Sequence, residues 1–79
     1  MVVNILFFGS TADIAGTRNL DRYCEDEETV SELLDKISLD YPALAKHKLL
    51  IAVNEEYVDP DTLLKDGDEI AVFTAVSGG

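Results

Sequence analysis

The last residues, Ala75-Val76-Ser77-Gly78-Gly79, hold the chemistry that this sequence offers. Glycine has no Cβ, so the backbone at Gly78 and Gly79 can enter a channel too narrow for any other residue. Val76 and Ser77 would lead into that channel. The terminal carboxylate of Gly79 is then presented on an extended tether to a site on another protein. A carboxylate is a poor electrophile. Joined to AMP, it gains a good leaving group that a sulfur nucleophile can displace. The product is a thiocarboxylate at Gly79, whose sulfur can attack an activated carbon in a second enzyme. Ordering the tail costs about 1–2 kcal/mol per residue, so a docking surface elsewhere on the chain has to offset that cost. A terminal glycine pair arises by chance in roughly 0.5% of chains, and a plain disordered end also fits. The rest of the chain must decide.

Other side chains compete poorly. Cys24 has no flanking base and reads as a small strand residue. His47 is the single histidine and has no partner for a metal site. Ser10, Ser31, Ser38 and Ser77 match no nucleophile motif, and no glycine loop for phosphate is present. Asp59, Asp61, Asp66 and Asp68 stand in turn contexts that do not match a calcium loop. The chain is therefore expected to be non-catalytic, with no intrinsic cofactor and no metal.

Composition narrows the setting. With 79 residues and 47% apolar content, the chain makes one domain of near-marginal size. One cysteine permits no internal disulfide, which suits a reducing compartment. Val2 to Phe8 is apolar but broken by Asn4, so it reads as neither signal peptide nor membrane span. A cytoplasmic protein is expected. Six basic residues face 16 acidic ones, for a net charge of -10. That balance excludes nucleic acid as a natural partner and favours a protein with a basic face, although acidity also serves solubility.

The elements that must position the tail follow from periodicity. Val3 to Phe8 reads as a strand ending at Gly9. Ser10 to Gly16 reads as a short helix, capped by Ser10 and ended by Gly16. Asn19 to Glu25 is a second strand with Leu20 and Cys24 on one face. The run Glu25-Asp26-Glu27-Glu28 reads as a solvated entrance to a helix. Thr29 and Glu32 form a capping box, and Val30, Leu33, Leu34, Ile37 and Tyr41 follow at helical spacing up to Pro42. Lys48 to Asn54 alternates as a strand, and Tyr57-Val58 forms a short one after a turn. Leu63 and Leu64 anchor the next crossing. Lys65-Asp66-Gly67-Asp68 is a tight turn, and Glu69 to Thr74 is the last strand. One main helix with a mixed sheet of four or five strands predicts an α+β fold of the β-grasp (ubiquitin-like) type over residues 1–74. Residues 75–79 are left as a flexible tail.

Strand parity then defines a face. Asn4 shares its side of the first strand with Leu6 and Phe8, so Val3, Ile5 and Phe7 point at the helix. Glu69 shares its side of the last strand with Ala71 and Phe73, so Ile70 and Val72 point inward. With the first and last strands adjacent, Leu6, Phe8 and Phe73 form an apolar patch away from the helix, extended by Leu50 and Ala52. A domain this acidic has little reason to expose such a patch unless a partner covers it.

The segments Ile5-Leu6-Phe7-Phe8-Gly9, Ala52-Val53-Asn54, Asp66-Gly67-Asp68-Glu69-Ile70-Ala71-Val72-Phe73 and Val76-Ser77-Gly78-Gly79 together resemble one family. It is the small, sulfur-carrying subunit of molybdopterin synthase, the MoaD family of the MoaD/ThiS superfamily. The likeness runs from the first strand to the last residue. The turn and the diglycine are shared with other β-grasp carriers, whereas Phe7-Phe8 and the Ala-Val-Asn strand favour MoaD over the thiamine carrier. Family members often carry proline just after the last strand, where this chain has Thr74-Ala75.

The resemblance implies a ubiquitin-activating-type adenylating enzyme that joins Gly79 to AMP with ATP and magnesium. It implies a sulfur donor protein, and a large subunit holding cyclic pyranopterin monophosphate and forming a heterotetramer of two small and two large subunits. It implies that Phe8, Phe73 and Tyr57 contact partners. The competing expectations are a thiamine-pathway carrier, a ubiquitin-like protein modifier joined to lysines through Gly79, and an interaction module with an inert tail.

Overall fold

The computed structural model describes residues 1–74; the predicted tail, with Val76, Ser77, Gly78 and Gly79, lies outside the described residues. The strands are Val2–Phe7 (β1), Asn19–Tyr23 (β2), Leu49–Val53 (β3), Glu56–Tyr57 (β4) and Glu69–Thr74 (β5). The helices are Ser10–Ala15 (α1) and Val30–Asp40 (α2), and a 3-10 helix spans Pro42–Lys46. The predicted order holds, with shifted ends. The first strand stops at Phe7 rather than Phe8, because Gly9 turns the chain at φ 59°. The second stops at Tyr23, and the short hairpin strand is Glu56–Tyr57 rather than Tyr57-Val58.

The sheet order is β2-β1-β5-β3-β4, with β1 and β5 parallel at its centre and the other pairs antiparallel. This is the β-grasp fold. The parity reading is correct for the inward face: Val3, Ile5, Phe7, Ile70 and Val72 are buried. They pack with Val30, Leu33 and Ile37 of α2 and with Leu44 of the 3-10 helix in one core cluster. The helix starts where the sequence places it. The Glu32 N–H donates to Thr29 Oγ1 (3.2 Å), and the Thr29 N–H donates to a Glu32 carboxylate oxygen (3.1 Å).

Three local expectations are corrected. Ser10 does not cap α1: Gly9 holds the N-cap position without a side-chain bond, and Ser10 is the first helical residue. Leu63 does not join the core; it is 54% exposed while Leu64 is buried. Glu28 is not solvated like the rest of its acidic run, for its side chain is 2% exposed. The turn into α2 folds it inward. There it accepts from the Glu25 N–H (3.2 Å) and from Lys36 Nζ (2.5 Å), two turns along the helix. Burial pushes its carboxyl pKa up, but the Lys36 ammonium and the Glu25 N–H outweigh burial and hold it below its ordinary 4.5. Beside it, burial and the Glu28 charge push the Cys24 thiol to about 11.

Two turns complete the frame. Gly67 takes φ 84° in the turn before β5, and its N–H donates to Val2 O (2.8 Å). The β3–β4 hairpin uses a two-residue loop, Asn54-Glu55, at φ 50° and 70°. Both positions need positive φ, which Asn tolerates and Glu does not.

Two predictions follow from these sites. Glu55→Gly relieves the left-handed cost of about 1–2 kcal/mol at the expense of about 0.5–1 kcal/mol of added chain entropy. A net gain of about 0.5–1 kcal/mol is expected in urea unfolding; a loss would mean that the Glu55 side chain has a role of its own. The depressed Glu28 pKa contributes stability that is present above its ordinary 4.5 and is lost as pH falls through the lower folded value. Lys36→Met leaves burial less opposed, raises that pKa and moves acid unfolding to higher pH. Equal acid midpoints for wild type and variant would exclude the pair as an acid-sensitive element.

Candidate functional site

The face of the sheet away from α2 is built from cross-strand register. Leu6 of β1 lies opposite Ala71 of β5, Ala71 opposite Ala52 of β3, and Ala52 opposite Tyr57 of β4. One row thus crosses four strands with small residues in the middle and large ones at its ends. The next row sets Leu50 of β3 opposite Phe73 of β5. The Phe73 ring stands between Phe8 and Tyr57, with edge-to-face centroid separations of 6.4 and 5.9 Å. Edge-to-face pairs of this spacing add about 0.5–1.5 kcal/mol beyond area burial.

The structure therefore brings together all four side chains read as a partner surface. Leu6 and Phe73 are half-buried, Phe8 is 50% exposed and Tyr57 is 72% exposed. Parity placed Leu6, Phe8 and Phe73 together. Tyr57 entered only through the resemblance, and the β3–β4 hairpin explains its position. Ala52 belongs to the outward face, as read, but is buried because its methyl lies in the floor between larger neighbours. Aromatics displayed on an exposed sheet face are the anchors that protein interfaces favour.

A set of small hydrogen bonds fixes this face to the end of β5. Thr11 Oγ1 donates within reach of two carbonyls, Phe8 O (2.7 Å) and Val72 O (2.9 Å). The Phe8 N–H also donates to Val72 O (3.0 Å), and the Ser10 and Thr74 hydroxyls are 3.2 Å apart. The segment around Phe8 is thus tied to the last residues of β5, from which the chain continues toward Gly79. Sequence reading missed Thr11. It is fully buried on a short helix, and its only signal was a threonine among small residues.

The remaining candidates are placed as follows. Cys24 is buried with a raised pKa, and His47 is exposed at the end of the 3-10 helix. Among the described residues no group of three or more His, Cys, Asp or Glu side chains could hold a metal. No described helix is long and apolar enough to cross a membrane. Asp66 and Asp68 are turn residues: Asp66 accepts from the Val2 N–H (2.8 Å), and Asp68 from the Lys65 N–H (2.8 Å).

The sequence matches the ThiS family over residues 5–79. The chain belongs to the ThiS family. Among its relatives in this family is the molybdopterin synthase sulfur carrier subunit of Haemophilus influenzae, 35% identical over 99% of this chain and 100% of the relative. The human molybdopterin synthase sulfur carrier subunit is 35% identical over 98% of this chain and 93% of the relative. Solved structures share the fold along the whole length. A putative molybdopterin converting factor subunit 1 from Pyrococcus furiosus superposes with TM-score 0.91 at 26% identity, covering 96% and 99% of the two chains. The small archaeal modifier SAMP1 from Haloferax volcanii gives TM-score 0.86 at 26% identity over all of both chains. A complex of subunits 1 and 2 of molybdopterin-converting factor from Helicobacter pylori contains a chain 32% identical to this one, with TM-score 0.69 over all of both chains.

The geometry makes Phe73 the centre of this ThiS-family face, since both aromatic neighbours lean on it. Phe73→Ala is expected to cost about 2–3 kcal/mol in urea unfolding and Phe8→Ala about 1 kcal/mol. Equal costs would mean that the two rings are not ranked as the packing ranks them.

Proposed function

We propose that this chain is the sulfur carrier of molybdopterin synthesis, with Gly79 as its reactive end. The observation that carries the reading is the full-length likeness to molybdopterin synthase sulfur carrier subunits. The reaction runs in three stages. A Gly79 carboxylate oxygen attacks the α-phosphorus of ATP on a magnesium-dependent adenylating enzyme, and pyrophosphate leaves. Hydrosulfide released by the donor protein attacks the acyl-adenylate carbonyl, the C–O bond to AMP breaks, AMP leaves, and the thiocarboxylate forms. The tail then enters the large subunit, where its sulfur attacks cyclic pyranopterin monophosphate on the way to the dithiolene.

In this reading the chain supplies no general acid or base. Its contribution is presentation. Gly78, Ser77 and Val76 thread the narrow channel, and Leu6, Phe8, Tyr57 and Phe73 supply the binding energy that offsets ordering the tail. The same face serves the adenylating enzyme and the large subunit in turn, and two small subunits assemble with two large ones. The cytoplasm is the compartment that fits these steps. Cys24 suits this chemistry by its inertness: a thiol raised to about 11 does not compete as a sulfur acceptor.

One observation favours a second reading. The superposition on small archaeal modifier protein 1 fits a modifier joined to lysines through Gly79. Conjugates of higher mass in extracts of cells producing the chain would support it.

Reconstitution tests the main reading. The Gly79 thiocarboxylate is mixed with a molybdopterin synthase large subunit and cyclic pyranopterin monophosphate, beside a chain lacking Gly79. Molybdopterin is expected only with the intact tail, and Phe8→Asp is expected to lower its formation at least tenfold while the chain stays folded. No product from the intact thiocarboxylate, with the large subunit active toward another small subunit, would move the assignment to thiamine synthesis or protein modification.

A further inference from the structure

The chain's charge is segregated along the strand axis. Most of its 16 acidic side chains fall in the loops of one end. That end holds the run Glu25 to Glu28, the Asn54-Glu55 hairpin and the stretch from Asp59 to Glu69. Backbone bonds gather these loops together. The Gly67 N–H reaches Val2 O, the Asn54 N–H reaches Glu69 O, and the Cys24 N–H reaches Met1 O.

The opposite end has another character. It is formed by the last residues of β5 and β1, by α1, and by the 3-10 helix leading into β3. Residues 1–12, 41–54 and 70–79 contain no Asp or Glu; the carboxylates bordering them at this end are Asp13 of α1 and Asp40, which is paired with Arg22. In the middle stretch stand Lys46, His47 and Lys48, all three exposed. Among the described residues neither lysine has an ion-pair partner, whereas Arg22 is held by Asp40 and Lys36 by Glu28. Thr74 pairs with Leu49, the residue after Lys48. The basic segment therefore flanks the point from which the chain runs on to Gly79. Leu50 and Phe73 pair one step away, so the segment is continuous with the aromatic face.

We propose that Lys46 and Lys48 dock on carboxylates that rim the mouth of the partner's tail channel, steering the chain tail-end first. The inference rests on the reading of Gly79 as the delivered group. Reach fixes the location of the contact. Five extended residues span about 16–18 Å, so side chains at the root of the tail meet the mouth of the channel and not the reacting atoms. Phosphates bound at the bottom of that channel lie beyond their contact range. Charge fixes the occupant: an acidic rim attracts this one end and repels the acidic loops of the other, so it selects orientation as well as partner.

The test measures association of the wild-type chain with the large subunit by stopped flow across ionic strength. The variants are Lys46→Glu/Lys48→Glu, Lys48→Glu alone, Lys65→Glu, and the charge-conserving Lys46→Arg/Lys48→Arg. Lys65 is exposed in the acidic end, so K65E makes the same charge change as K48E at the wrong pole. The double variant is expected to associate about tenfold more slowly at low salt and to lose most of its salt dependence. K65E should change the rate by less than about threefold, and K46R/K48R should keep the wild-type rate. Thermal unfolding checks that each variant is folded. Equal slowing by K48E and K65E would reduce the effect to total charge and overturn the proposal. So would a double variant that associates at the wild-type rate or faster. A wild-type chain that fails to bind the large subunit at all overturns the proposed function first, a result seen before any variant is compared.

Discussion

The parallel pairing of β1 with β5 is the constraint on which the rest of this structure depends. It joins segments at opposite ends of the sequence, with Ile5 beside Ile70 and Phe7 beside Val72. A parallel pair cannot close through a tight turn, so the whole intervening chain becomes its crossover connection. The inward residues of the two strands supply the floor of the core. Their outward residues supply Leu6 and Phe73. Their common direction puts Phe8 and Thr74 at the same end of the sheet, so the aromatic face and the continuation toward Gly79 are neighbours. Thr11, bonded to carbonyls on both sides of that junction, locks the arrangement.

Around this central pair the other elements are economical. Helix α2 closes one face with three buried positions, Val30, Leu33 and Ile37. Strand β2 covers one edge of the central pair, while β3 with its hairpin covers the other. The outward face is left uncovered by any helix among the described residues. A small domain gains little by exposing aromatic rings to water, which marks the face as a candidate interaction surface. The same economy appears in the charge. Most carboxylates occupy the loops far from Thr74, while α1, packed beside the end of β5, carries one, Asp13.

The buried Glu28–Lys36 pair stands apart from this logic. It ties the loop after β2 to the second turn of α2, and its energetic balance depends on one half-exposed ammonium. Removing a carboxylate from water is unfavourable unless partners compensate. Here a backbone N–H and a lysine do so at Oε1, while Oε2 is buried without a hydrogen-bond partner among the described residues. The neighbouring thiol of Cys24 is held protonated by burial and by that carboxylate's charge. The cluster has a structural role, and it leaves the thiol of Cys24 buried and protonated.

The sequence by itself determined the order of elements, the capped main helix, the inward parity of β1 and β5, and the candidate end at Gly78-Gly79. These are local signals: alternation, helical spacing, a capping box and glycine where positive φ is needed. It also marked Leu6, Phe8 and Phe73 as outward, because Asn4 and Glu69 label one side of each strand. Only the tertiary structure decided what depends on contacts between distant segments. Glu28 reads as one more solvated carboxylate until the turn before α2 folds it toward Lys36. Ser10 reads as a cap until Gly9 takes that position and turns Ser10 toward Thr74. Leu63 and Leu64 are identical in sequence terms, and the crossing buries only one. Thr11 is silent in the sequence because its partners, Phe8 O and Val72 O, come from backbone 61 residues apart in the second case. Side-chain periodicity reports which face a residue takes within its own element, whereas these four outcomes were set by which backbone lay opposite.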